Sequence, residues 1–118
     1  MIVVQTSIPV ASDRRDEALE VIAALVERSR EEDGVVDYRA TTDLQDPDVV
    51  RFFERYEDET VLEAHVRTDH YRAFVADLPD LTDGRLETVR FELDEEPEVV
   101  RFDAAEASLP DAEGAERA

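Results

Sequence analysis

Two periods of apolar residues alternate along this chain. Over Ile2 to Val10 the period is two, with Ile2, Val4, Thr6 and Ile8 on one face and Val3, Gln5 and Ser7 on the other, which predicts a β-strand ended by Pro9. Next the spacing lengthens to that of a helix. Leu19, Ile22 and Val26 run beside Ala18, Val21 and Leu25, while Glu17, Glu20, Glu27 and Arg28 point away. Ser12 or Asp13 is placed to cap this helix, and Gly34 to stop it after about Glu32. Strand spacing returns at Val35 to Thr42 and at Val49 to Glu57, and the turn Asp46-Pro47-Asp48 between them makes a hairpin. The third strand carries Val50, Phe52, Glu54 and Tyr56 on one face and Val49, Arg51, Phe53 and Arg55 on the other. Neither face is simply polar, so both are expected to be covered. Asp58 or Thr60 then opens a short helix through Val66. Thr68 caps another, whose apolar side is Tyr71, Phe74, Val75 and Leu78 and which Pro79 closes. Arg85 to Leu93 is the last clear strand.

This order, β-α-β-β-α-β with the second helix split, predicts an α+β, ferredoxin-like fold: one antiparallel sheet with helices on one face. The opposite face carries Val49, Phe53 and part of the first strand. A single copy has nothing left to cover it, so a homodimer packed sheet to sheet, a dimeric α/β barrel, is expected. Past Pro97, Glu98 to Phe102 reads as a short extra strand offered to a partner subunit. From Asp103 the composition turns to Ala, Glu, Asp and Gly, which predicts a domain over 1–102 and an acidic, frayed tail over 103–118.

Charge narrows the partners. The 118 residues hold 32 acids and 13 Arg with no Lys, a net charge of −19. The first 93 residues alone carry 23 acids against 11 Arg, so the folded part is itself strongly acidic. Such a surface repels phosphates, and neither nucleic acid nor an anionic membrane is expected as a partner. The all-Arg, acid-spread pattern resembles cytosolic proteins of salt-accumulating organisms, whose self-repulsion is screened at high ionic strength. No Cys is present, which excludes disulfides, thiolate metal sites and a cysteine nucleophile. The opening MIVVQTSIPV lacks a basic leader, and its apolar run is far shorter than the roughly 20 residues of a membrane span, so a cytoplasmic location is expected.

Chemistry-bearing residues cluster between Glu54 and Phe74. The segment reads Glu54-x-Tyr56, then Leu62-x-x-His65, then Thr68-x-His70-Tyr71-x-x-Phe74, and is preceded by Gly34-x-x-x-Tyr38. In order and spacing this resembles the antibiotic biosynthesis monooxygenase family, whose signature runs G-x-x-x-Y, E-x-W, A-L-x-x-H and S-x-H-F-x-x-F. Tyr56 stands where Trp is usual, Val61 for Ala, Thr68 for Ser and Tyr71 for Phe, and each keeps size or capping ability. The resemblance implies a small dimeric barrel that oxidises a quinol or polycyclic phenol with dioxygen, without metal or flavin. Triplet dioxygen reacts with an electron-rich anion, so a dry aromatic pocket, a base and peroxide-holding donors are needed. Under this resemblance His65 is the best candidate base and Tyr56 and His70 candidate donors, with Tyr38, Phe52, Glu54 and Phe74 as candidate substrate contacts.

Each residue also has a plainer reading. His65 can tie a helix end to the sheet, and His70 can pack against the first helix. Glu54, on an inward strand face, is either a buried carboxylate paired with a histidine or Arg or a second proton acceptor. The aromatics can be ordinary core. His65 and His70 are five residues apart across a helix break and do not share a face as an i,i+4 pair would, so no metal site is expected; that no cofactor is needed is what the family resemblance implies. The haem-degrading branch of the same superfamily relies on Asn, Trp and His, and this chain has no Trp. A non-catalytic barrel binding a small hydrophobic ligand, or serving in stress response, is the alternative function.

Overall fold

A computed structural model describes residues 1–107. The elements are β1 (Ile2–Pro9), α1 (Arg15–Ser29), β2 (Val35–Thr42), β3 (Val49–Tyr56), α2 (Glu59–Val66), α3 (Asp69–Leu81) and β4 (Glu87–Glu92). The sheet order is β2-β3-β1-β4 and every neighbouring pair is antiparallel, the ferredoxin-like arrangement. β1 is central, pairing Ile2 with Tyr56 on one side and with Glu92 on the other.

Alternation along the strands sets the two faces. Ile2, Val4 and Ile8 of β1 join Val50, Phe52 and Tyr56 of β3 and Tyr38 of β2 in a core closed by Ala18, Ile22, Leu25 and Val26 of α1 and by Phe74 and Leu81 of α3. The opposite face is built in rows by the strand register: Asp37, Arg55, Val3 and Phe91 in one, Arg39, Phe53, Gln5 and Val89 in the next. Val89 and Phe91 are each 44% exposed there.

Several local readings are revised by the structure. Neither Ser12 nor Asp13 caps α1: Ser12–Arg14 form a 3₁₀ turn, and Arg14 bonds Glu17 instead. α1 ends at Ser29, not near Glu32, because the chain tightens: the N–H of Glu31 bonds to Arg28 and that of Glu32 to Ser29, each three residues back. Pro79 does not close α3. Lying in the last turn, its ring removes only the bond that the Val75 carbonyl would accept, and burial of Leu81 carries the helix two residues on. Within a single copy Glu98–Phe102 pairs with no strand among the described residues. Past Asp103, Ala104–Glu106 form one 3₁₀ turn, and 108–118 of the expected tail lie outside the described residues. No described helix is long and apolar enough to cross a membrane.

Two expected caps are present. Asp58 accepts from the N–H of Val61, and Thr68 from that of Tyr71. Gly34 adopts φ +86°, and a Cβ there would collide with Cγ2 of Val61, so this turn requires glycine both for its backbone and for the close approach of α2.

Candidate functional site

Between the sheet and α3 lies a cavity of about 110 Å³. Tyr38, Phe52 and Glu54 enter its wall from β2 and β3, and Tyr71, Phe74 and Leu78 from α3. Strand alternation places Phe52 and Glu54 side by side on the helix-facing surface, while the three-to-four spacing of α3 sets its rings opposite. Thr6 and Ile8 of β1 complete the lining, and the exposed Leu86 and Thr88 flank the mouth, the hydroxyls of Thr6 and Thr88 lying 3.0 Å apart.

Glu54 is the one titratable carboxyl group on this wall. It is 8% exposed, and burial pushes its pKa up to about 7 from the usual 4.5, against the opposing pull of the Tyr56 hydroxyl, which donates to Oε1. Oε2 has no protein partner among the described residues. Glu54 is therefore bonded to a tyrosine, not to a histidine or Arg as its inward position suggested. Burial, reinforced by Glu54, also raises the pKa values of the Tyr38 and Tyr56 hydroxyls, so both remain protonated donors.

His65 stands behind the wall. It is 1% exposed, at the end of α2, with its ring centroid 5.1 Å from that of Tyr38, 5.6 Å from Tyr56 and 4.8 Å from Tyr71. Its Nε2 lies 3.3 Å from the Tyr38 hydroxyl, and its Nδ1 lies 3.0 and 3.1 Å from the two carboxylate oxygens of Glu32. Burial holds the imidazole below its ordinary pKa despite Glu32, which favours a neutral ring whose Nδ1–H donates to Glu32 and whose Nε2 accepts from Tyr38. His70 Nε2 donates to the same carboxylate at 2.6 Å.

The structure thus divides the sequence candidates into two layers. Tyr38, Phe52, Glu54 and Phe74 line the cavity, whereas His65, Tyr56 and His70 do not. His65 meets the cavity wall through its hydrogen bond to the Tyr38 hydroxyl and its packing on the Tyr71 ring, and Tyr56 through its hydrogen bond to Glu54. The expectation that the helix break separates the two histidines is corrected: the Thr68 hydroxyl donates to the His65 carbonyl at 2.7 Å and caps α3, folding the corner so that both rings meet Glu32. Glu32 is the member that pattern reading missed. It sits in the acidic run Glu31-Glu32-Asp33, which reads as a solvated face, and its partners lie 33 and 38 residues away.

An antiparallel sheet backed by helices, with aromatic rings closed around one interior carboxyl group, defines a small α+β domain with an interior cavity. The chain belongs to the antibiotic biosynthesis monooxygenase family, whose family model matches residues 1–77. It is 34% identical over 95 residues to YcnE of Bacillus subtilis (strain 168), provisionally named a monooxygenase, a match spanning 80% of this chain and 100% of that protein. Among solved structures, a conserved protein from Methanosarcina mazei Go1 superposes with a TM-score of 0.73 at 26% identity, over 76% of this chain and 89% of that one. A crystal structure of an antibiotic biosynthesis monooxygenase gives 0.75 at 23% identity, over 80% and 100%.

Proposed function

We propose that this protein is a cofactor-independent monooxygenase acting on a small quinol with dioxygen, and that Glu54 is its base. The observation that carries this reading is a half-bonded carboxyl group with a pKa of about 7 on the wall of an aromatic cavity. A base is most effective when its pKa lies near the working pH, and Glu54 meets that condition. A dry cavity of about 150 Å³ is known to hold benzene, so about 110 Å³ with an open mouth suits one ring better than a polycyclic phenol.

In this mechanism Glu54 Oε2 takes the proton of a ring hydroxyl. The phenolate passes one electron to dioxygen, and the two radicals combine to form a C–O bond at the neighbouring ring carbon. Return of the proton to the outer peroxide oxygen makes a hydroperoxide; loss of the carbon's hydrogen as a proton then turns that carbon into a carbonyl as the O–O bond breaks and hydroxide leaves, and the hydroxide takes up that proton to become water. For a hydroquinone the balance is one quinol plus one dioxygen to one hydroxyquinone plus one water, with all four electrons supplied by the substrate. The Tyr38 hydroxyl lines the same cavity but gives its proton to His65 Nε2, so His65 acts as a positioning residue that fixes the Tyr38 ring in the wall.

We further read the outer sheet face as the homodimer interface, supported by the Phe53, Val89 and Phe91 rows, and residues 1–102 as the folded domain. The test is oxygen uptake across a panel of quinols. Glu54→Gln should lower the rate by roughly 10²-fold or more, and the wild-type rate should rise with pH to a plateau above about 7. A quinol that binds without oxygen uptake would replace this reading by the ligand-binding one.

A further inference from the structure

The least explained feature of the molecule lies behind the cavity, where Glu32, His65 and His70 converge. Their ligand atoms all lie within 4.8 Å of one another, although the three residues come from the α1–β2 turn, the last turn of α2 and the first turn of α3. Two imidazole nitrogens and a carboxylate approach one point from three directions. We propose that this corner is a binding site for a divalent cation of the zinc class.

The geometry needs little adjustment. Four ligands at the roughly 2.0–2.1 Å bonds of zinc stand about 3.4 Å apart in a tetrahedron. Here Glu32 Oε2 is 2.6 Å from His70 Nε2 and 3.0 Å from His65 Nδ1, so the carboxylate has to move out from each ring by under an ångström, while the two imidazole nitrogens, within 4.8 Å of one another, need to close by at most about 1.4 Å. The surroundings also suit a metal. His65 is clamped among the rings of Tyr38, Tyr56 and Tyr71, and its distal nitrogen meets the Tyr38 hydroxyl, the kind of outer partner that fixes a ligating imidazole. The His70 and Glu32 side chains are 19% and 15% exposed, which leaves an entry path and a fourth position on the solvent side. A donor set of two nitrogens and one carboxylate without sulfur favours borderline ions such as Zn²⁺ or Co²⁺ over Mg²⁺ and Ca²⁺, which take six or more oxygens.

Binding here would act on the cavity at one remove. An ion on His65 Nδ1 requires the ring proton on Nε2, which must then donate to the Tyr38 oxygen. The bond reverses, and the Tyr38 hydroxyl proton is freed to point into the cavity that this residue lines. None of the three ligands touches the cavity itself, so the site does not depend on the monooxygenase reading and is tested without turnover.

The experiment is calorimetric titration of the full chain, stripped with a chelator, with Zn²⁺ in a large excess of Mg²⁺ to occupy the acidic surface. Visible absorption of Co²⁺ reports the ligand field. One ion per chain is expected, with a rise in Tm that tracks zinc concentration. His70→Ala and Glu32→Gln, each checked for fold by circular dichroism, should weaken binding by roughly 10²-fold or more, beyond the effect of losing an outer partner. Two results would overturn the proposal. One is no saturable binding above the Mg²⁺ background, and the other is stoichiometry and affinity unchanged in both variants. In either case Glu32 is only a hydrogen-bond acceptor for two imidazoles.

Discussion

Replacing Glu54 by Gln should make the protein more stable at neutral and alkaline pH, and the size of the effect follows from the burial of that carboxyl group. In the unfolded chain Glu54 loses its proton near 4.5, whereas in the fold it holds it to about 7. Between those values the folded state binds the extra proton, so stability falls as pH rises from about 4.5 to about 7 and is level beyond. At 1.36 kcal/mol per pKa unit the loss amounts to about 3 kcal/mol. The glutamine side chain keeps an acceptor for Tyr56 and has no charge to bury. The variant should therefore match the wild type below pH 4.5 and exceed it by about 3 kcal/mol above pH 7. Urea denaturation of both proteins across this range, at fixed KCl and fixed protein concentration, measures the difference. His65, whose burial lowers its pKa, contributes the opposite slope, but equally in both proteins, and cancels. Parallel stability curves at every pH would show that Glu54 ionises freely, and would remove the reason for choosing it as the base.

Two other outcomes are expected. Phe53→Arg puts a second like charge beside Arg39 on the outer sheet face, in a row that holds no acid, and should cost the proposed dimer several kcal/mol, giving monomer or aggregate by light scattering; an intact dimer would mean that the subunits meet elsewhere. With 23 acids and 11 Arg in the first 93 residues, Tm should rise with KCl as the screening length falls from about 10 Å at 0.1 M to about 3 Å at 1 M. A rise continuing past 1 M would support a high-salt origin, and a flat or falling curve would remove it.

What the sequence discloses here is local. Strand alternation alone puts Phe52 and Glu54 on the helix-facing surface, and the family spacing adds Tyr38 and Phe74, so one wall of the cavity follows from pattern and spacing. Capping chemistry places the starts of α2 and α3 at Asp58 and Thr68 for the same reason, since an N-cap is decided within three residues. The layer behind the wall is set by contacts between distant segments. His65 looks like a base because it is a histidine, but the Thr68 corner turns it away from the cavity and against Glu32. Glu32 leaves no trace in the pattern because a carboxylate in an acidic run resembles every other. Leu86 and Thr88 reach the cavity mouth only because β4 pairs with β1, across some 80 residues of chain.

The nucleophiles of this chain take on a different meaning beside a quinone. The reaction proposed above would release a quinone, an electrophile that arylates thiols, amines and, more slowly, imidazoles, and would expose the enzyme to its own product. This chain has no Cys and no Lys, and its many cations are guanidiniums, which stay protonated and do not attack. Of its two imidazoles, His65 is sealed, with one nitrogen against Glu32 and the other against Tyr38. Only His70, with 19% of its side chain exposed, offers an imidazole to such a product, and its Nε2 already faces Glu32. The carboxylate that gathers the two rings also leaves the fold with almost no side chain for a quinone to alkylate.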